Sequence, residues 1–356
     1  MSSQTTIDQD RLDEFLGRFV EDAAAAESAV CAYLGDRLGL YAAMADAGPL
    51  TAAQLAERTD THPRYVEEWL GNQAAGGYVT YNPQAATFEL PPEQAAVLAD
   101  QDSAVYLVGI HHIVAAMWAA TEQLEEAFRT GDGVGWDEHD PRLYHGVARL
   151  FAPLYRSQLT DDWIPALDGI EQRLLDGALV ADVGCGHGIS TIEMATAYPA
   201  SRFVGFDYHE SSIAQASKQA ADAGLGDRVS FEVSTAEAIP GEGYDLVCLF
   251  DAFHDMGDPA HVAAHLRTTL ADDGALLLVE PMAGDDLADN LNPVSRLYYA
   301  GSVALCTPSS LAQEGRMGLG AQAGQARLTE VLNDAGFSRV RRATQTPFNL
   351  ILEARP

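Results

Sequence analysis

Apolar positions fall at helical spacing in the first part of the chain. Residues 11–34 carry Leu12, Phe15, Leu16, Phe19 and Val20 on one stripe, which predicts a long helix. Residues 34–48 read as a second helix closed by Gly48. Thr51 is placed to cap a third through Arg58. A break at Asp60-Thr61-His62-Pro63 precedes a fourth helix over 64–75, expected to bury Tyr65, Val66, Trp69 and Leu70. Gly76-Gly77 then turns the chain into two strand-like runs, 78–81 and 87–90, joined at Asn82-Pro83. Helix, turn, helix and two-stranded wing make a winged-helix pattern over 1–100. Residues 101–170 read as amphipathic helices, 103–129 and 141–159, broken by Gly131, Gly133 and Gly135 before Trp136.

From residue 178 the period changes. Apolar runs Leu179–Val183, 203–206, Val229–Val233, 246–250 and 275–279 alternate with helical patterns. This predicts a βαβαβ order and a parallel sheet with helices on both faces. The tail adds a helix at 328–335 and strands at 339–342 and 349–354. The expected organisation is thus α/β: an α-rich winged-helix domain at 1–100, a helical linker and pocket segment at 101–170, and a sheet domain at 171–356.

Charge narrows the partners. The 356 residues hold 52 acids against 21 bases, a net −31 with a single lysine, Lys218. The acidity runs through both halves. The helix over 64–75 offers Arg64 but also Glu67 and Glu68, where a groove-binding helix brings cations to phosphates and base edges. No nucleic-acid partner is therefore expected; a dimerisation or scaffolding role fits the domain better. The acidity fits a salt-adapted host as well as an acidic protein from a GC-rich genome. Neither an apolar span nor a leader is visible at residues 1–8, so a cytoplasmic location with no membrane partner is expected. Cys31, Cys185, Cys248 and Cys306 form no C-x-x-C pair, and His111, His112, His139 and His145 have no ligand spacing, so no metal site is expected.

The candidate chemistry begins at Asp182-Val183-Gly184-Cys185-Gly186-His187-Gly188, where a strand ends and a helix opens. Glycines at alternate positions let backbone approach a ligand and point helix N–H groups at it. A dinucleotide fingerprint would need glycine at 189, which is Ile189, and a phosphate-binding lysine is missing. Asp207 ends the next strand, 19 residues after Gly188, where a carboxylate reaches ribose hydroxyls. Loop and acid together predict a nucleoside ligand. The third strand ends near Ser234, Thr235, Ala236 and Glu237, where a base would lie.

On these residues, 178–280 resemble the class I S-adenosylmethionine-dependent methyltransferases. Asp182 through Gly188 match the family's first motif and Asp207 its ribose-binding acid. Tyr244-Asp245-Leu246-Val247 and LADDGALLLVE (270–280) resemble its fourth and fifth strands. The whole chain resembles the small-molecule O-methyltransferases that carry a winged-helix domain first, with 34–41, 250–259 and 346–356 bearing the wider likeness. One departure is Thr235, where the family commonly has aspartate. The resemblance implies a Rossmann-like seven-stranded methyltransferase sheet, S-adenosyl-L-methionine as cofactor and a small-molecule methyl acceptor, while the apolar helix from Leu12 to Val20 ahead of a winged helix without a basic face predicts a homodimer built through residues 1–100. It implies cofactor contacts from Asp182, Gly184, Cys185, Gly186, Gly188, Asp207, Tyr208, Ser234, Thr235, Ala236, Phe250 and Asp251. His254 matches the general base by position, with either Asp255 or a more distant carboxylate as its orienting partner. Trp136, Phe151, Tyr155, Phe253, Tyr298 and Tyr299 are the aromatic candidates for a wall against the cationic donor. The long interval 281–326 is expected to cover the acceptor. O-methylation of an aromatic or apolar molecule is the favoured activity. C-methylation of a quinone-like ring and a cofactor-sensing regulator are the alternatives.

Overall fold

Asp8 starts the first helix of the computed structural model, its side chain accepting the Arg11 N–H at 3.2 Å. The structure describes residues 7–356; residues 1–6, which open the expected winged-helix domain and the stretch read for a leader, lie outside the described residues. Helix α1 (Gln9–Arg37) runs without interruption over what the periodicity divided at 34. The break comes at Gly39, whose φ of +67° leaves helical space before α2 (Leu40–Met44). Thr51 and Gln54 form a reciprocal capping box on α3 (Ala52–Arg58). Helix α4 (Pro63–Ala75) follows, with proline at its first position. It buries Val66, Trp69, Leu70 and Gln73. Tyr65, expected inside, is 80% exposed. Its position falls beside the i, i+3, i+4, i+7 stripe rather than on it. Strands β1 (Thr80–Asn82) and β2 (Thr87–Glu89) pair antiparallel as the wing, and α5 (Pro92–Leu98) closes it.

The expected helix from 103 begins only at Ile110, because turns fill 101–109 and the Leu107 N–H is drawn to the Val97 carbonyl. Helix α6 (Ile110–Ala119) contains the division between two compact units, one through Ala115 and one from Ala116. The second unit continues with α7 (Thr121–Thr130) and α8 (Arg142–Leu154). Pro153 lies inside α8, and the helix widens into π turns at Tyr155–Trp163.

Next come α9 (Ile170–Asp176), β3 (Leu179–Val183), α10 (Ile189–Ala197), β4 (Arg202–Asp207), α11 (Glu210–Asp222) and β5 (Val229–Val233). Strand β6 (Tyr244–Phe250), α12 (Pro259–Thr269) and β7 (Leu270–Pro281) complete the alternation. Helices α13 (Pro293–Gly301), α14 (Thr307–Ala312) and α15 (Gly324–Asp334) precede β8 (Arg339–Gln345) and β9 (Asn349–Arg355).

The seven strands lie in the order β5-β4-β3-β6-β7-β9-β8. The sheet is mixed: β9 runs antiparallel to both β7 and β8. The period of two sends alternate residues of each strand to opposite faces. Val180, Leu246, Cys248, Leu277 and Val279 pack with Leu159 and Trp163 on one face. Ala181, Val183, Val247, Leu249, Leu276 and Leu278 pack with Leu328, Val331 and Leu332 on the other. Burial on both faces explains why these strands read as unbroken apolar runs.

Candidate active site

Strand β3 delivers the glycine loop, and Asp182 fixes it from beneath. Its Oδ2 accepts the hydroxyls of Ser190 and Thr191 at 2.6 Å each, tying strand end to α10. Asp182 is 1% exposed, and burial raises its carboxyl to about 6 against those two hydrogen bonds. Asp182 itself lies under the loop, off the cavity wall.

Gly184, Gly186 and Gly188 all hold positive φ, at +74°, +52° and +74°. They serve different ends. At Gly188 an added Cβ would stand 2.5 Å from the Phe231 ring, so this glycine admits close packing and does not line the cavity. At Gly186 an added Cβ would meet no protein atom within 4 Å, and the residue does line the cavity.

Asp207, at the end of β4, accepts the Gly186 N–H on Oδ2 and the His209 N–H on Oδ1, both at 2.9 Å. Burial raises its carboxyl, the two N–H groups pulling the other way.

A cavity of about 800 Å³ opens here, within the size range of a small-molecule site. Gly184, Cys185, Gly186, Asp207, Tyr208, Ser234, Thr235, Ala236, Glu237, Phe250 and Asp251 line it. Trp136, Tyr144, Phe151, Tyr155, Asp255, Met256, Ser309 and Gln313 line it as well. Phe151 stacks on Tyr155 at 5.9 Å between centroids, and Tyr155 meets Phe250 edge-on at 5.3 Å. Three of the aromatic candidates are absent from the wall. Phe253 is fully buried in the core beneath, Tyr298 donates its hydroxyl to the Phe348 carbonyl, and Tyr299 stands off the cavity with it. The interval 281–326 reaches the wall through Ser309 and 312–315 instead.

His254 lies in a short turn after β6, is 3% exposed and is itself off the wall. Its Nδ1 stands 2.6 Å from Glu280 Oε2 at the end of β7. Its Nε2 stands 3.2 Å from Asp255 Oδ1, and Asp255 does line the cavity. Burial pushes the imidazole down, but Glu280 and Asp255 outweigh it and hold it well above its ordinary range. Both partners left open by the sequence are therefore in contact with the ring. Glu280 also accepts the Phe253 N–H at 3.1 Å, so one buried carboxylate fixes turn and ring together.

Sequence reasoning did not single out Glu280. Its one signal is an acid closing an otherwise apolar strand. It also missed Asn349 at the start of β9, whose Nδ2 reaches Asp251 Oδ2, just after β6, at 3.1 Å. Asp251 needs that anchor: it is a non-glycine at φ +49° with a carboxyl that burial raises strongly.

The cavity suits a donor that carries a ribose and positive charge. Asp207 presents a half-buried carboxylate already fixed by backbone N–H groups, and the space over Gly186 is open. The wall carries Asp137, Asp207, Glu237, Asp251, Asp255, Asp258 and Glu314, with no lysine or arginine. These residues fit S-adenosylmethionine, whose sulfonium and ammonium groups meet carboxylates and aromatic faces.

Comparison with known proteins bears on family and fold. Residues 174–336 match the family described as "Methyltransferase domain", and residues 26–100 match the "Rv2258c-like winged HTH domain". The chain is 33% identical over 151 residues to the 27-O-demethylrifamycin SV methyltransferase of Amycolatopsis mediterranei (strain S699). That match covers 38% of this chain and 55% of the relative, so the chain spans about half the length of that protein. It is 27% identical over 288 residues to the 3-amino-4-hydroxybenzoate 4-O-methyltransferase of Streptomyces cremeus, covering 77% of each. Its fold is similar to that of the mitomycin 7-O-methyltransferase MmcR, with a TM-score of 0.71 and 19% identity over 98% of this chain and 99% of that one.

Proposed function

With residues 174–336 forming a class I S-adenosylmethionine-dependent methyltransferase domain behind a winged-helix domain at 26–100, we propose that the protein methylates an oxygen of a small aromatic or apolar molecule. The observation that carries this is the Asp207 carboxylate bound to the Gly186 N–H at 2.9 Å on the wall of the cavity that Asp255 also lines.

S-adenosylmethionine supplies an electrophilic methyl carbon on a sulfonium. Asp207 would hold its ribose, and Ser234, Thr235, Ala236 and Glu237 would flank its base. Trp136, Phe151 and Tyr155 form the aromatic wall that excludes water. Holding the acceptor in line is the chain's main contribution, worth about 7–11 kcal/mol in well-oriented systems. The acceptor's hydroxyl proton passes to the pair formed by Asp255 and His254. Glu280 raises the proton affinity of Nε2 from the far side of the ring, in the manner of a carboxylate orienting a histidine base.

The proposal extends to a cytoplasmic homodimer that contacts neither DNA nor membrane. Phe15, Leu16, Phe19 and Val20 on α1 are each more than half exposed, an apolar row that a second copy covers. Arg64 on α4 is paired with Glu67 and Glu68, leaving that helix without a free cation for a phosphate. The four cysteines are free thiols, in keeping with a reducing compartment.

The test is transfer of labelled methyl from S-adenosylmethionine across a panel of phenols and hydroxyquinones. Label in an ether product supports the reading; label on ring carbon, or no label transfer, contradicts it.

A further inference from the structure

Sequence spacing offers no metal-ligand set, yet the fold brings three donors of different chemistry together. A ring nitrogen of His254, a carboxylate oxygen of Asp255 and the Sγ of Cys306 all lie within 4.8 Å of one another. They come from the turn after β6 and from the π turns at Ser302–Cys306. Imidazole, carboxylate and thiolate are ligands of borderline divalent transition metals rather than of magnesium or calcium.

Three features make this more than proximity. Two ligands about 2.0–2.2 Å from one tetrahedral ion stand about 3.3–3.6 Å apart, and His254 Nε2 is close to that range at 3.2 Å from Asp255 Oδ1. That Asp255 oxygen is buried, and the carboxylate's neighbours are the other two members of the cluster, the His254 ring and the Cys306 thiol, contacts that one bound ion would replace. The other ring nitrogen of His254 is held by Glu280 at 2.6 Å, the carboxylate–histidine arrangement that orients a metal-bound imidazole. Asp255 lines the cavity, which supplies the entry path and leaves the fourth position to water or ligand.

We propose that His254, Asp255 and Cys306 form a site for a zinc-class divalent ion, and that filling it withdraws His254 from proton transfer. Bonds form from the ion to Nε2, Oδ1 and Sγ, and the thiol proton and any proton on Nε2 leave to solvent. The ion changes no oxidation state. Only the inhibitory half rests on the methyl-transfer reading.

Cobalt(II) is the probe, titrated into the full chain under reducing conditions, with S-adenosylhomocysteine calorimetry on the same sample as a check of folding and of the donor site. The expected result is a near-ultraviolet thiolate-to-cobalt absorption saturating at one ion per chain, displaced by zinc and lost in Cys306→Ser. Glu280→Gln should weaken cobalt about 10–100-fold. No absorption in the wild-type chain, or absorption retained in Cys306→Ser, overturns the site, and the wild-type measurement alone suffices for that. Cobalt binding without S-adenosylhomocysteine binding keeps the site and overturns its inhibitory role.

Discussion

The His254 ring and the Glu280 carboxylate, 26 residues apart in sequence, are joined at 2.6 Å between Nδ1 and Oε2, with both residues at most 3% exposed. A contact this short and dry, between the turn after β6 and the end of β7, fixes the ring with Nε2 toward Asp255 and the cavity. His254→Ala should therefore lower kcat by about 10²-fold or more, the scale of a positioned general base. Glu280→Gln should lower kcat less and move its pH profile, because it acts through the ring. Steady-state kinetics with an identified acceptor checks both. Equal cofactor affinity in the three proteins is part of the expectation, since the lost interaction belongs to proton transfer.

Gly188 is a second point of precision. Its φ is +74°, and a Cβ there would lie 2.5 Å from the Phe231 ring and 2.8 Å from the Ala216 Cβ. Gly188→Ala should cost about 1–3 kcal/mol through overpacking, with backbone strain added. Urea denaturation of the variant reads this directly. An unchanged midpoint would remove the packing role assigned to this glycine.

Asp182 carries a pH signature. Its carboxyl is raised from 3.8 to about 6, chiefly by burial. The folded state thus holds a proton that the unfolded chain releases. The stabilisation from that proton is complete below about pH 3.8 and is lost as pH rises through about 6. Asp182→Asn has no such loss. Its stability relative to wild type should rise between about pH 4 and pH 7.5 by up to about 3 kcal/mol. Paired denaturation curves across that range check the sign; a flat or falling difference contradicts it.

The apolar row on α1 predicts assembly. Phe15 and Phe19 are 56% and 58% exposed. Sedimentation should find the wild type as a dimer at micromolar concentration. Phe15→Glu with Phe19→Glu should give a folded monomer. A wild-type monomer in both low and high salt would refute the dimer.

The elements read well from sequence where local rules act alone. Gly184, Gly186, Gly188 and Asp207 were legible because a tight strand-to-helix turn and a strand-end acid require those residue types at that spacing. The Thr51 cap and the wing were legible for the same reason. Tyr65 was misread because the buried stripe of α4 follows Val66, Trp69, Leu70 and Gln73, a phase visible only once the partners are in place. Tyr298 was assigned to the cavity on composition, whereas a backbone carbonyl 50 residues away takes its hydroxyl. Glu280, Cys306 and Asn349 were not legible. Each gains its meaning from a partner 26 to 98 residues distant, which periodicity does not report.

The central claim is that the glycine loop and Asp207 hold S-adenosylmethionine. Calorimetric titration of S-adenosylhomocysteine into the full chain tests it without needing the acceptor. The account predicts one site per chain in the wild type and a loss of about 1.5–3 kcal/mol of affinity in a folded Asp207→Ala variant, the range for hydrogen bonds to a charged group. No binding by the wild type, or equal affinity in the two proteins, would contradict it.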